Sequence, residues 1–137
     1  MLIVNILREN LIHLLPKNGV GVEIGVAEGD FAETLLTTTK PKRLHLIDPW
    51  TFQQREDYRD DPNNVPTSEG DRRHQAVLAR FQDRIQSGEI EVHRQFSCQA
   101  RTKYPENYFD WIYVDALHTY DGVRSDLDLN QANDAPP

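Results

Sequence analysis

Gly21-Val-Glu-Ile-Gly-Val-Ala-Glu-Gly-Asp-Phe31 is the stretch that decides the fold. Val20, Val22, Ile24 and Val26 are β-branched and form a short apolar run, suited to a parallel strand covered on both faces. Gly25 and Gly29 follow, and a backbone lacking Cβ there can take positive φ or approach a ligand closely. Asp30 then reads as an N-cap, with Glu33 completing a capping box and Phe31, Leu35 and Leu36 turned toward the sheet. A strand, a tight turn and a capped helix present backbone N–H groups at a helix N-terminus, which suits a nucleotide-like ligand.

The spacing narrows the ligand class. The dinucleotide pattern GxGxxG would put its glycines at Gly25, Ala27 and Asp30, and the last fails because that glycine permits close helix–strand packing. Nicotinamide and flavin are therefore disfavoured. What the stretch does offer is an acidic residue, Glu23, two before Gly25, and a second glycine, Gly29, four after it. A carboxylate at a strand end suits a cationic ligand group. Taken alone, the stretch also reads as an ordinary strand–glycine–helix corner.

The 137 residues suit a single domain spanning 1–137. With 22 acidic against 15 basic residues the net charge is −7, which opposes non-specific attraction to nucleic acid or anionic membrane, so neither is expected as a partner. The single cysteine, Cys98, allows no intrachain disulfide and reads as a small packing residue. Polar residues interrupt the N-terminal stretch too early for a signal-peptide core or a membrane span, and the expected location is cytoplasmic.

Along the chain, Ile3, Leu7, Leu11, Leu14 and Leu15 predict an amphipathic helix over 3–15, ending before Pro16. The first strand covers 20–26, a helix 30–39, and the second strand 43–50. Asp48 ends that second strand, roughly 20 residues beyond the glycine turn, where a carboxylate can accept hydrogen bonds from ribose hydroxyls. His45, within the strand, reads as a structural residue. Residues 50–67 are polar but carry Trp50, Phe52 and Tyr58, which predicts a cover over a pocket. A helix from Ser68 follows, with Val77, Leu78, Phe81 and Ile85 as its apolar stripe and Gly88 as its stop.

The third strand, 90–95, leads to Phe96 and Ser97, and Ser97 reads either as a ligand-facing residue or as the cap of a short helix to Tyr104. The fourth, 109–115, delivers Asp115, His118 and Tyr120, and a helix near Thr119 carries Val123 and Leu127. Strands alternating with helices predict an α/β parallel sheet whose carboxyl ends share one side, so Glu23, Asp48, Ser97 and Asp115 converge.

In combination, Val22-Glu-Ile-Gly-Val-Ala-Glu-Gly29, Leu46-Ile-Asp-Pro-Trp50, the Phe96-Ser97 corner and Tyr113-Val-Asp-Ala-Leu-His-Thr-Tyr120 resemble the class I S-adenosylmethionine-dependent methyltransferases. Within that class the pattern is similar to the small O-methyltransferases of the macrocin and macrolide-sugar type. The resemblance implies a Rossmann-like doubly wound parallel sheet and methyl transfer to a hydroxyl of a small-molecule acceptor. It also implies that Glu23, Gly25 and Gly29 hold the methionine part of the cofactor, Asp48 the ribose, and Phe96 with Ser97 the adenine. Asp115 matches the acidic residue that binds Mg²⁺ in metal-dependent members.

Where no metal acts, His118 is the candidate general base, its ordinary pKa lying near neutrality; it reads equally as a helix-entry residue bonded to backbone. The family continues beyond Leu129 into a fifth strand, whereas this sequence runs Asn130 to Pro137 and stops. The expectation is thus a sheet truncated to about four strands with flanking helices. Its alternative function is nucleoside binding without catalysis. An unpaired edge along the Ile112 strand further predicts a homo-oligomer.

Overall fold

The computed structural model describes residues 8–116 together with 123, 124 and 126. In chain order the regular elements are α1 (Arg8–Leu11), β1 (Val20–Ile24), α2 (Asp30–Thr39), β2 (Arg43–Asp48), α3 (Thr67–Arg80), α4 (Gln82–Gln86), β3 (Ile90–Arg94), α5 (Ser97–Ala100) and β4 (Trp111–Val114). Short 3₁₀ turns lie between some of them, over Ile12–Leu14, Glu56–Tyr58 and Arg101–Lys103.

The four strands form one sheet in the order β3-β2-β1-β4, and every pairing is parallel. The chain steps outward from β1 through β2 to β3, then crosses back to add β4 on the far side of β1. Strand order therefore reverses between β1 and β4, and such a switch point opens a crevice at the carboxyl ends of the strands. Ile24 is level with Ile47 of β2 and Val114 of β4, so the three strand ends share one rim. Among the described residues, the predicted four-stranded parallel sheet with flanking helices is the one observed.

Each face of the sheet has its own core. On one, Phe31, Ala32, Leu35 and Leu36 of α2 meet Val77, Phe81, Leu44, Leu46, Ile90 and Trp111. On the other, Val22, Ile24 and Ile47 pack with Ala100 and Phe109. His45 is fully buried in that second layer, edge-on to the Tyr104, Tyr108 and Phe109 rings.

Several local expectations are corrected. Leu11 and Leu14, assigned to an apolar stripe, are exposed, whereas Ile12 is buried, because α1 gives way to a 3₁₀ turn after Leu11 and the stripe rotates. Residues 3–7 lie outside the described residues. Gly29, at φ +84°, is the N-cap of α2 in place of Asp30, and no side chain caps the helix. The expected capping-box carboxylates are drawn away to one guanidinium, Arg80, at 2.6 Å from Asp30 and 3.5 Å from Glu33. The helix expected from Ser68 to Gly88 breaks at Phe81 into α3 and α4, which lets Phe81 turn fully into the core. Cys98, expected to pack, is exposed. No described helix is long and apolar enough to cross a membrane.

Candidate functional site

The crevice at the switch point is a cleft of about 510 Å³ lined by the carboxyl ends of the strands and the segments that follow them. Its floor is the turn after β1. Gly25 takes φ +87° and donates its N–H to the Ile47 carbonyl at 2.9 Å. A Cβ there would stand 2.2 Å from the Asp115 carbonyl oxygen, so only glycine lets the β1 and β4 ends approach this closely. Gly29 does not line the cleft. It closes the turn by donating to the Val26 carbonyl at 2.9 Å, and its open side faces the Phe81 ring.

The two acidic residues that end β1 and β2 have different surroundings. Glu23 is 1% exposed, and its Oε2 has no hydrogen-bond partner among the described residues. Burial first, then the neighbouring Asp115 and Asp48 carboxylates, hold the Glu23 carboxyl well above the usual range, partly offset by Arg8. Asp48 instead accepts three backbone bonds. Its Oδ2 takes the N–H groups of Val26 at 2.9 Å and Ala27 at 3.0 Å, and its Oδ1 takes that of Trp50 at 2.7 Å. Trp50 completes the clasp by donating Nε1–H to the Ala27 carbonyl at 2.8 Å.

The walls come from later elements. Thr51, Gln53, Tyr58 and Asn63 of the long polar loop line one side. Asn64 pins that loop through reciprocal bonds with the Gln53 backbone, at 2.9 and 3.0 Å. Burial, with Asp61 and Asp48 adding to it, pushes the Tyr58 phenol up to about 12, so it stays neutral. On the opposite side the Phe96 ring is 40% exposed, and the Ser97 hydroxyl donates to Asp126 rather than capping α5. Burial raises the pKa of Asp126, and the Ser97 bond moderates the rise. At the end of β4, Asp115 accepts a hydrogen bond from Arg8 at 2.9 Å, and the Arg8 guanidinium lies 4.2 Å over the Phe31 ring.

Glu23, Gly25, Asp48, Phe96, Ser97 and Asp115 thus line one cleft. His118 and Tyr120 lie outside the described residues. The expected Mg²⁺ at Asp115 finds no support in the donor set, because its near partner is a guanidinium and no group of three metal ligands forms around it among the described residues. Arg8 and Asp126 are cleft residues that sequence reasoning missed. A signal for Asp126 exists, since it follows Val123 by three residues and so falls on the helix face assigned as apolar.

A methyltransferase-domain family model matches residues 22–133, from the glycine turn through the fourth strand and past it. The chain belongs to this family. No curated protein matches the sequence. Among solved structures, this methyltransferase domain is similar to precorrin-8w decarboxylase of Methanobacterium thermoautotrophicum, with 16% identity and a TM-score of 0.53 over 86% of this chain and 52% of that one. It is also similar to a Streptococcus mutans protein assigned as a methyltransferase and solved in complex with SAH, with 8% identity and a TM-score of 0.53 over 88% of this chain and 60% of that one. At those identities the likeness establishes the Rossmann-like fold. The methyltransferase domain described here spans about half to three-fifths of the length of these relatives.

Proposed function

We propose that the cleft binds S-adenosylmethionine and that the domain transfers its methyl group to a hydroxyl of a small molecule. The observation that carries this reading is Glu23, a buried carboxyl with an unpartnered oxygen at the floor of a switch-point cleft. A buried acceptor without a donor is costly, and an ammonium group supplies both the donors and the compensating charge. The residues fit the rest of such a ligand as well. Asp48 has accepted three bonds of the four or so a carboxylate can take, which leaves capacity for a ribose hydroxyl. Phe96 offers an exposed ring for a base to lie against. The bound cofactor supplies a methyl group made electrophilic by a sulfonium centre.

The chain's own work is to position and to manage one proton. Asp48 braces the turn against β2, so the donor's surroundings are set before binding and the two reactants can be held in line. Asp115 and His118 are the proposed catalytic pair, His118 taking the acceptor hydroxyl proton and Asp115 lying beside Arg8 at the mouth of the cleft. No step passes through Mg²⁺.

Calorimetric titration with S-adenosylmethionine and S-adenosylhomocysteine tests the cofactor. Micromolar binding, weakened about tenfold or more by Glu23→Gln, is the expected outcome. Absence of binding to the folded chain overturns the proposal. With binding established, transfer of labelled methyl to hydroxylated acceptors tests the reaction, and its loss in His118→Ala tests the base. Binding without transfer to any acceptor would favour the nucleoside-binding alternative.

A further inference from the structure

We propose that the protein carries a structural zinc site, separate from the cleft, built from His45 of β2, Glu91 and His93 of β3, and Tyr104. The observation is a convergence of donor atoms. His45 Nδ1 lies 3.1 Å from His93 Nε2, and the Glu91 carboxylate oxygens lie 3.8 Å from the first and 3.5 Å from the second. The Tyr104 hydroxyl closes the group at 3.2 Å from His45 Nδ1 and 2.8 Å from His93 Nε2. A tetrahedral ion with bonds of about 2.0–2.1 Å separates its ligand atoms by about 3.3 Å, and these spacings bracket that value. Among the described residues this is the only group of three histidine, cysteine or acidic side chains close enough to share an ion.

The parallel sheet explains why these residues meet. Residues 91 and 93 point to the same face because side chains alternate along a strand, and β2 presents residue 45 directly opposite residue 91. That face is covered by the segment after α5, which carries Tyr104 and Tyr108 over the two imidazoles. The surroundings also have the features a metal centre needs. Tyr108 lies 3.2 Å from His45 Nε2 and can accept a hydrogen bond from Nε2–H, which leaves Nδ1 as the ligating nitrogen. Glu91 is half exposed, so an ion has a path in past it. Arg43, 3.8 Å from Glu91, competes for the carboxylate.

Two imidazoles with one carboxylate and a phenol favour zinc over magnesium, which prefers an all-oxygen shell. None of the four residues lines the cleft, and His45 precedes Asp48 by three residues, about 10 Å along the strand. The ion's role is accordingly structural. It ties the outer edge of the sheet to the 104–109 segment, and takes the place of a proton shared between the two histidines.

The test uses the full chain, stripped with a chelator and titrated with Zn²⁺ by calorimetry and with Co²⁺ by visible absorption. The expected result is one Zn²⁺ per chain, a raised unfolding midpoint, a tetrahedral Co²⁺ spectrum and no response to Mg²⁺. Glu91→Gln, a substitution at an exposed position that leaves the fold intact, should weaken Zn²⁺ at least tenfold, and His93→Gln should weaken it further. Absence of Zn²⁺ binding, or binding that both variants retain, overturns the proposal and leaves a hydrogen-bonded His–His–Tyr cluster. Neither result depends on the cofactor reading.

Discussion

The carboxyl ends of β1 and β2 carry the same kind of residue at the same rim of the sheet, yet the fold uses them in opposite ways. Asp48 is the internal ligand of its own loop, holding three backbone N–H groups that would otherwise need another acceptor. Glu23 is buried with an oxygen that nothing in the described chain satisfies. One carboxylate is built into the scaffold, and the other is the group that the proposed cofactor would engage. Buried polar groups are ordinarily paired, so the exception is the more informative of the two.

Substitutions at the two ends should break this contrast in graded fashion. Gly25→Ala has the largest expected effect, because the new Cβ meets the Asp115 carbonyl at 2.2 Å and the residue must hold φ +87°. Strain and overpacking together should cost about 4 kcal/mol in chemical denaturation. Asp48→Ala removes the acceptor for three N–H groups and should cost about 3 kcal/mol, with Asp48→Asn recovering part of it. A loss much below 1 kcal/mol for Asp48→Ala would mean that water replaces the carboxylate and that the scaffold role is wrong.

The end of β3 offers a third term for the comparison. Ser97→Ala leaves the buried Asp126 without its hydroxyl donor and should lower stability by about 1 kcal/mol in urea unfolding.

Glu23→Gln is the smallest in stability and opposite in sign. The folded Glu23 carboxyl titrates above its unfolded value, so the folded chain keeps a proton that the unfolded chain gives up. Stability therefore falls as pH rises beyond the ordinary carboxylate range. Removing that ionisation should raise the thermal midpoint near neutral pH by about 3 °C and flatten its decline with pH, while ligand binding weakens. A midpoint that falls at every pH would show that Glu23 is a structural residue like Asp48.

A related proposal concerns the sheet edge. β4 is one of the two edge strands among the described residues, and self-association along it should appear as a dimer by light scattering at tens of micromolar.

Much of this was legible in the chain. Short apolar runs that carry Glu23, Asp48 and Asp115 at or near their carboxyl ends, with helical stretches between them, specify parallel strands whose ends meet on one side, because crossover connections return the chain in the same direction every time. The Gly25 turn was equally legible, since only glycine takes positive φ without strain. Less could be read from the helix ends. Asp30 and Glu33 form a good capping pair on local grounds, and it is Arg80, some fifty residues away, that draws them off. The early helix is present over its described part, but its apolar stripe was misplaced because uniform helical spacing was assumed where a 3₁₀ turn intervenes.

What the sequence alone determined is therefore the strand order's raw material, the glycine turn and the acidic rim, all of which follow from local conformational preference and period. The tertiary structure alone decided which acid is satisfied, that Arg8 and Asp126 reach the cleft, and that His45, Glu91, His93 and Tyr104 share one point. Those outcomes depend on which distant groups arrive within hydrogen-bond reach of one another, and no local pattern encodes a partner that lies on another element of the fold.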